Sequence, residues 1–395
     1  MVKRHRVRSG RRRWLLAGAW AAALAAPCCP LFVGVASGQP RPNVVAWGSF
    51  YYPQAGPIAA PEDATNVVCV ADAGGFAVAL RADGTVVAWG LDNLGETDLP
   101  AGLTNVVAVS AGAGLGLALT CDGSVVAWGG NGVGGEDVPA TLTNAVAVVA
   151  SSALTLALRS DHTVVAWGLD YSESPDLPAD LTNAVAIAAS FHDAFALEAD
   201  GTVVVWPYPG GNVNVTNVPP GLTNVVAVTA GQYIAMALRA DGTVVVWGDD
   251  SSGETNVPSG LTNVVAIAAG WYHCLALRAG GTVVAWGWDG YGQADVPAGL
   301  TNVVSISAGY ASSMAVIGAA LPPSQVALTN LSFGPGGFTV QVPTDRGRVY
   351  ELEYKNSLTD TQWQLLPLAA GTGGLVQLTD PSPSAAQRFY RVRRW

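Results

Sequence analysis

A tryptophan returns seven times in this chain inside nearly the same words: PNVVAWG, RADGTVVAWG, TCDGSVVAWG, RSDHTVVAWG, EADGTVVVWP, RADGTVVVWG and RAGGTVVAWG. It falls at Trp47, Trp89, Trp128, Trp167, Trp206, Trp247 and Trp286. A second marker, the Asn of an (A/L)TN triplet, falls at Asn66, Asn105, Asn144, Asn183, Asn224, Asn263 and Asn302. From each Asn to the next Trp the distance is 23 residues in all six cases. From Trp to the next Asn it is 16 in five cases, 19 after Trp47 and 18 after Trp206. All length variation therefore lies in the loop after the tryptophan. A fixed scaffold with one variable loop is the pattern that places recognition on that loop.

Within a unit such as NVVAIAAGWYHCLALRAGGTVVAWGWDGYGQADVPAGLT, runs of Val, Ile, Ala and Trp are bounded by Gly, Asn and Pro, which reads as strands. Asp-Gly at 83–84, 122–123, 200–201 and 241–242 joins two such runs and signals a hairpin, the Asp tolerating a left-handed turn. Pro at the end of the VP segment suits an outer edge strand. Four short strands per unit, seven times, predict an all-β, seven-bladed β-propeller over residues 43–318. The last unit, NVVSISAGYASSMAVIG, lacks a Trp strand, and the first Trp strand, PNVVAWG, lacks the strands before it. The halves complement each other, so 43–48 is expected beside 312–317, closing the ring by pairing of the N- and C-terminal strands. A Trp at one fixed point per blade is a packing residue, its ~150–250 Å² of surface contributing at most about 4–6 kcal/mol of apolar stabilisation. The seven tryptophans are thus expected to be structural.

The ends differ from the repeats. Residues 1–38 carry a basic start with seven Lys/Arg, an apolar WLLAGAWAAALAAP and a small-residue GVASG, the layout of an export signal. Pro27 and Pro30 interrupt the apolar run short of a membrane span. The mature chain is expected to be exported (extracellular, cell-surface or periplasmic), not membrane-spanning, and monomeric. After a linker at 319–324, residues 325–395 read as about six strands in VALTNLSF, GFTVQVP, RVYELEYKN, WQLLPL, GLVQLTD and QRFYRVRR. They resemble a small immunoglobulin- or fibronectin-like β-sandwich, a surface-attachment or spacer unit.

Charge narrows the partners. Residues 39–320 hold 24 Asp/Glu against five Lys/Arg, a net of −19, whereas 321–395 carries +2. So acidic a body repels phosphate backbones, and nucleic acid is not expected as a partner. Cys69, Cys121 and Cys274 occupy three different repeat positions, which reads as buried small hydrophobes and no disulfide framework.

The recurring pattern AG, two variable residues, His, LAL, DG, V, AWG and GQ, seen in AGWYHCLALRAGGTVVAWGWDGYGQ with Gly280-Gly281 in the DG place, resembles the repeat of the regulator-of-chromosome-condensation (RCC1-like) propellers. The length and the GETNVP/GQADVP endings are most similar to a short-repeat secreted bacterial branch that includes the propeller-type β-lactamase inhibitor protein. That branch implies a seven-bladed exported propeller that binds through aromatic loop residues on one face. Departures are plain. Only His273 keeps the repeat's His, the matching positions being Phe76, Leu115, Leu154, Asp193, Ile234 and Ser312, and GQ survives only at Gly292-Gln293. Nuclear members act as nucleotide-exchange factors on chromatin, which suits neither an exported chain nor a −19 ring.

Chemistry finds few hands here. His162, His192 and His273 lie in blades three, four and six at different repeat positions. His273 reads as packed or hydrogen-bonded, and His162 as a turn residue replacing Gly. No metal motif, phosphate loop or hydrolase elbow is present, and no cofactor and no catalytic residue are expected. Recognition is better served. In an up-and-down blade the AG loop and the loop after Trp share one face, here called upper, while the DG hairpin and LTN crossover lie below. The upper loops of blade four offer Phe191 and Tyr208, of five Tyr233, of six Trp271, Tyr272, Trp288 and Tyr291, and of seven Tyr310 with Phe50, Tyr51 and Tyr52. Blades one to three offer Gly74-Gly75, Ala113-Gly114, Ser152-Ala153 and only Tyr171 after Trp. Packing would recur in every blade, so this asymmetry points to a crescent-shaped patch for a protein or glycan, bordered by Asp249, Asp250, Asp289 and Asp295. A secreted carbohydrate-active enzyme, lyase or hydrolase, with carboxylates at the channel mouth is the alternative, and a passive surface scaffold the third.

Overall fold

The computed structural model describes residues 3–4, 42–49, 59–318 except 131, 133, 153, 169–177, 179–180, 182, 192 and 208–214, and most of 329–394. Among them stand seven antiparallel three-stranded units, six of them built in the order inner, middle, outer from consecutive chain. Blade six is representative: Val264–Ala269, His273–Arg278 and Val283–Gly287. Neighbouring inner strands pack side by side around the molecule, and Val303–Ala308 of blade seven packs on Val67–Asp72 of blade one. The cycle is closed by Val44–Gly48, the outer strand of blade seven, which pairs with Ser312–Ile317 from Val44 opposite Val316 to Gly48 opposite Ser312. The same register, Trp opposite the second residue of the middle strand, recurs in blades one, two, three, five and six, while Trp206 of blade four lies opposite the first, Ala194. Lys3–Arg4 pair antiparallel beside Val203–Trp206 on the outer side of blade four.

Among the described residues the expected fourth strand is not formed by the segment after the tryptophan. The GETNVP-type segment instead runs as turns whose polar groups are met locally, with the Asp98 amide donating to Gly95 O at 3.2 Å and Leu99 to Thr97 O at 2.9 Å. What ties this segment to the sheet is the tryptophan. The indole Nε1 donates to a backbone carbonyl 32 residues earlier in four blades: Trp128 to Glu96 O, Trp167 to Gly135 O, Trp247 to Val215 O and Trp286 to Glu254 O. Trp47 makes the matching bond to Gln293 O at 2.9 Å, across 246 residues of sequence. Each indole is buried, and in these five its only polar atom is satisfied, the condition for hiding a Trp at low cost.

Two markers acquire physical meanings. Six of the seven repeat asparagines, Asn66, Asn105, Asn144, Asn224, Asn263 and Asn302, lie at φ of 53° to 57°, where Asn is tolerated and β-branched residues are not. At the DG hairpin the left-handed residue is the Gly, not the Asp. The Asp carboxylate instead accepts the amide two residues on, as Asp83 does from Thr85 at 2.9 Å. His162 takes the Gly place at φ 70°. Cys69 and Cys274 are buried, but Cys121 is exposed, because it sits in the turn after a middle strand where other blades place Ala or Ser.

Beyond the ring, Thr329–Gly334, Gly337–Pro343 and Leu375–Asp380 form one small sheet. Val349–Lys355 with Gln364–Leu365, Ala369–Ala370 and Phe389–Arg394 forms another, and Val340, Val342, Tyr350, Leu352 and Leu378 make the core of this unit. WQLLPL supplies only the two-residue strand Gln364–Leu365. This unit seats on the DG-hairpin side of blades three and four. Leu368 donates its amide to Ser160 O at 2.8 Å and buries its side chain in the core shared by those blades. His162 Nδ1 lies 3.2 Å from Ala184 O, and its Nε2 lies 3.3 Å from Leu366 O and 3.5 Å from the buried Glu351 carboxylate.

Candidate ligand-binding site

Each AG loop is a tight hairpin. The amide of its first residue takes the carbonyl three on, as in Gly231 to Ile234 at 2.8 Å, Gly270 to His273 at 2.9 Å and Gly309 to Ser312 at 2.9 Å. The two residues between are pushed to the tip, so Trp271 and Tyr272 project where Gly74 and Gly75 sit in blade one. The glycine serves close approach between blades: a Cβ on Gly231 would stand 1.7 Å from Gly270 O. Neighbouring loops therefore meet shoulder to shoulder, and the Trp271 amide bonds to Gly309 O at 3.3 Å.

Seven of the eleven aromatic candidates come together in one connected strip. Trp271 of blade six lies 3.9 Å from Tyr310 of blade seven, 6.5 Å from Tyr233 of blade five and 6.3 Å from Phe191 of blade four, between ring centroids. A single ring thus draws together loops of three other blades. From there Tyr233 stacks on Tyr272 at 4.5 Å and 17°, Tyr272 meets Trp288 edge-on at 5.8 Å, and Trp288 meets Tyr291 edge-on at 5.4 Å. The strip thus runs from the AG loops of blades four to seven to the outer loop of blade six. Its rings are half-buried, and Tyr291 at its end is 49% exposed. Phe50, Tyr51, Tyr52 and Tyr208 lie outside the described residues, as does Tyr171, although Ser49 bonds to Ala311 O at 2.9 Å and so begins its segment beside Tyr310.

Part of the acidic border also holds the loops. Asp250 accepts the Thr255 amide at 3.0 Å and Asp289 the Ala294 amide at 2.7 Å; Asp92 does the same for Thr97 in blade one. Glu96, Glu254 and Gln293 each accept the amide two residues before them, from Leu94, Ser252 and Tyr291. Glu96 and Glu254 therefore do the work that the repeat pattern gives to Gln, a signal readable as G-E in place of G-Q. Asp249 accepts the Ser251 amide at 3.1 Å. The Tyr272 hydroxyl is pushed to a higher pKa by burial, by its bond with Tyr233 and by the nearby charge of Asp249.

Two enclosed groups sit just below the loops. Burial pushes Asp72 up to about 6, against hydrogen bonding from Ser312 and from the Gly74 amide at 2.8 Å. The loop backbone at Gly309 lies over its carboxylate, so it faces the seam between blades seven and one rather than a substrate. Burial lowers His273 to about 4. Its Nε2 donates to Ser313 Oγ at 3.0 Å, whose own proton goes to Gln293 O at 2.8 Å, the carbonyl that also receives Trp47. His192 lies outside the described residues. Among the described residues no group of three His, Cys, Asp or Glu could hold a metal ion, and no helix is long and apolar enough to cross a membrane.

The profile of the Regulator of chromosome condensation (RCC1) repeat matches residues 225–254 and 264–293, one repeat in blade five and one in blade six. No curated protein sequence matches the chain. Among solved structures it is similar to Prp20p from Saccharomyces cerevisiae, studied for its binding to Gsp1p and histones, with 17% identity and a TM-score of 0.57 over 77% of this chain and 94% of that one. Yeast RCC1 (Prp20) bound to Kap60 gives 17% and 0.56 over 82% and 97%. Human WBSCR16 gives 19% and 0.54 over 70% and 99%. With the cyclic order of its sheets, the chain shares the β-propeller fold of these structures and carries two RCC1 repeats, in blades five and six.

Proposed function

We propose that this chain is an exported, non-catalytic binding protein that recognises a protein or glycan partner through the aromatic strip on its upper face. One observation carries the reading: seven rings from four blades meet across upper loops, where the AG turns of blades one and two hold only Gly74-Gly75 and Ala113-Gly114. Packing needs of the ring are common to all blades and give no reason for this concentration. Binding of Gsp1p, histones and Kap60 by the yeast relative supports the use of this fold as a recognition surface, though not those partners. Export is supported by the layout of residues 1–38. The enzyme alternative is weakened by the enclosure of Asp72, whose raised pKa arises in a seam and not at an open mouth.

The test is capture from culture supernatant and on a glycan array by the chain from residue 39 onward, beside its Trp271→Ala/Tyr272→Ala variant. The double variant is expected to lose the captured partner while keeping its fold, at a cost of about 1–2 kcal/mol for two half-buried rings. Retention of the partner by a folded double variant would overturn the assignment.

A further inference from the structure

The cations of the ring are sorted by face. Residues 39–320 contain no lysine, and the four described arginines, Arg81, Arg159, Arg239 and Arg278, all end middle strands beside the DG turns. Arg81 and Arg159 spend their guanidinium groups there on Asp63 and on Thr141 O. Among the described residues the upper loops hold no cation, yet they carry Asp249, Asp250 and Asp289 beside the aromatic strip.

The C-terminal unit shows what this chemistry accommodates. Arg388 lies over the Tyr354 ring at 3.9 Å while pairing with Asp380, and Arg391 lies over the Trp363 ring at 4.3 Å while pairing with Glu353. Twice, a guanidinium is held between an aromatic face and a carboxylate. The upper strip repeats two of those three parts, with Asp249 near Tyr272 and Asp289 next to Trp288, and supplies no cation.

Resting on the binding role just proposed, we infer that the occupant of the strip is a partner protein presenting arginine side chains. The planar guanidinium stacks flat on a ring and pairs bidentately with a carboxylate at once, a geometry that favours it over a lysine ammonium. The acidic body would also draw such a partner in from solution.

Calorimetric titration of the full mature chain with (Gly-Arg)6, (Gly-Lys)6, (Gly-Glu)6 and cellohexaose tests this. The arginine peptide is expected to bind at least about threefold tighter than the lysine peptide and the glutamate peptide not at all. Its Kd should rise roughly tenfold between 50 and 300 mM NaCl. Asp249→Asn/Asp289→Asn keeps an oxygen for the loop amides, and should weaken the arginine peptide by about fivefold or more. Absence of arginine-peptide binding, equal binding of the glutamate peptide, or indifference to Asp249→Asn/Asp289→Asn would overturn the inference. Cellohexaose binding that is lost in Tyr272→Ala/Trp288→Ala, without peptide binding, would overturn the arginine partner yet leave the strip a recognition surface.

Discussion

Asp72 and His273 occupy adjacent seams, on either side of blade seven, with opposite pH preferences. The folded state raises Asp72 to about 6, so this carboxyl favours folding when protonated, and its contribution is lost as pH rises from the ordinary carboxylate range through 6. The folded state lowers His273 to about 4, so this ring favours folding when neutral, and its contribution is lost as pH falls below the ordinary histidine range toward 4. Between pH 4 and 6 the two slopes cancel. Asp72→Asn keeps an acceptor for Gly74 and leaves the histidine slope alone, so its stability should climb with pH across that window. His273→Leu, the residue blades two and three carry there, should make stability fall with pH instead. Each is expected on the order of 3 kcal/mol across the window, read by urea unfolding at pH 4.5, 5.5 and 7. The packing role of position 273 is legible in sequence, since Leu115, Leu154 and Ile234 match it. The burial of Asp72 is not, because nothing in VADAGG says that Gly309 closes over it.

At the scale of the element, the hairpin pairs are readable from Val-rich runs and Asp-Gly turns, because alternation and turn chemistry are local. The fourth strand is misread for the same reason: VP segments have strand composition, but an indole donor and side-chain carboxylates satisfy their backbone in place of a ladder. The AG loop reads as a turn, whereas its glycine is fixed by a neighbour distant in sequence. Gly231→Ala should therefore destabilise by about 1–3 kcal/mol or more through a backbone clash. Gly280 is the contrasting case, with open space at its Cβ, in the hairpin position that other blades give to Asp. Gly280→Asp restores the carboxylate that caps the following Thr and should raise stability by about 0.5–1 kcal/mol. Thermal unfolding of the two variants reads both signs.

For the whole molecule, the truncated first and last units announce the circle, since each lacks what the other holds. The seating of the C-terminal unit is not announced. His162 reads as an exception in a turn and Leu368 as an ordinary hydrophobe, and only the folded chain brings Leu366, Leu368 and Glu351 to them. Leu368→Ala should loosen that contact by about 2–4 kcal/mol, seen as faster proteolytic cleavage within 319–324 while the ring stays resistant. This seating covers part of the lower face and leaves the aromatic strip on the other. Sorting of the loops onto two faces depends on closure by residues 44–48. The most direct measurement replaces Cys121 by Ser, introduces Val45→Cys/Ala315→Cys at directly opposed positions, and follows oxidation of the folded chain. An intramolecular disulfide that forms without loss of the native fold is the result closure predicts. Two thiols that stay free in the folded chain, or that join only between molecules, would contradict it.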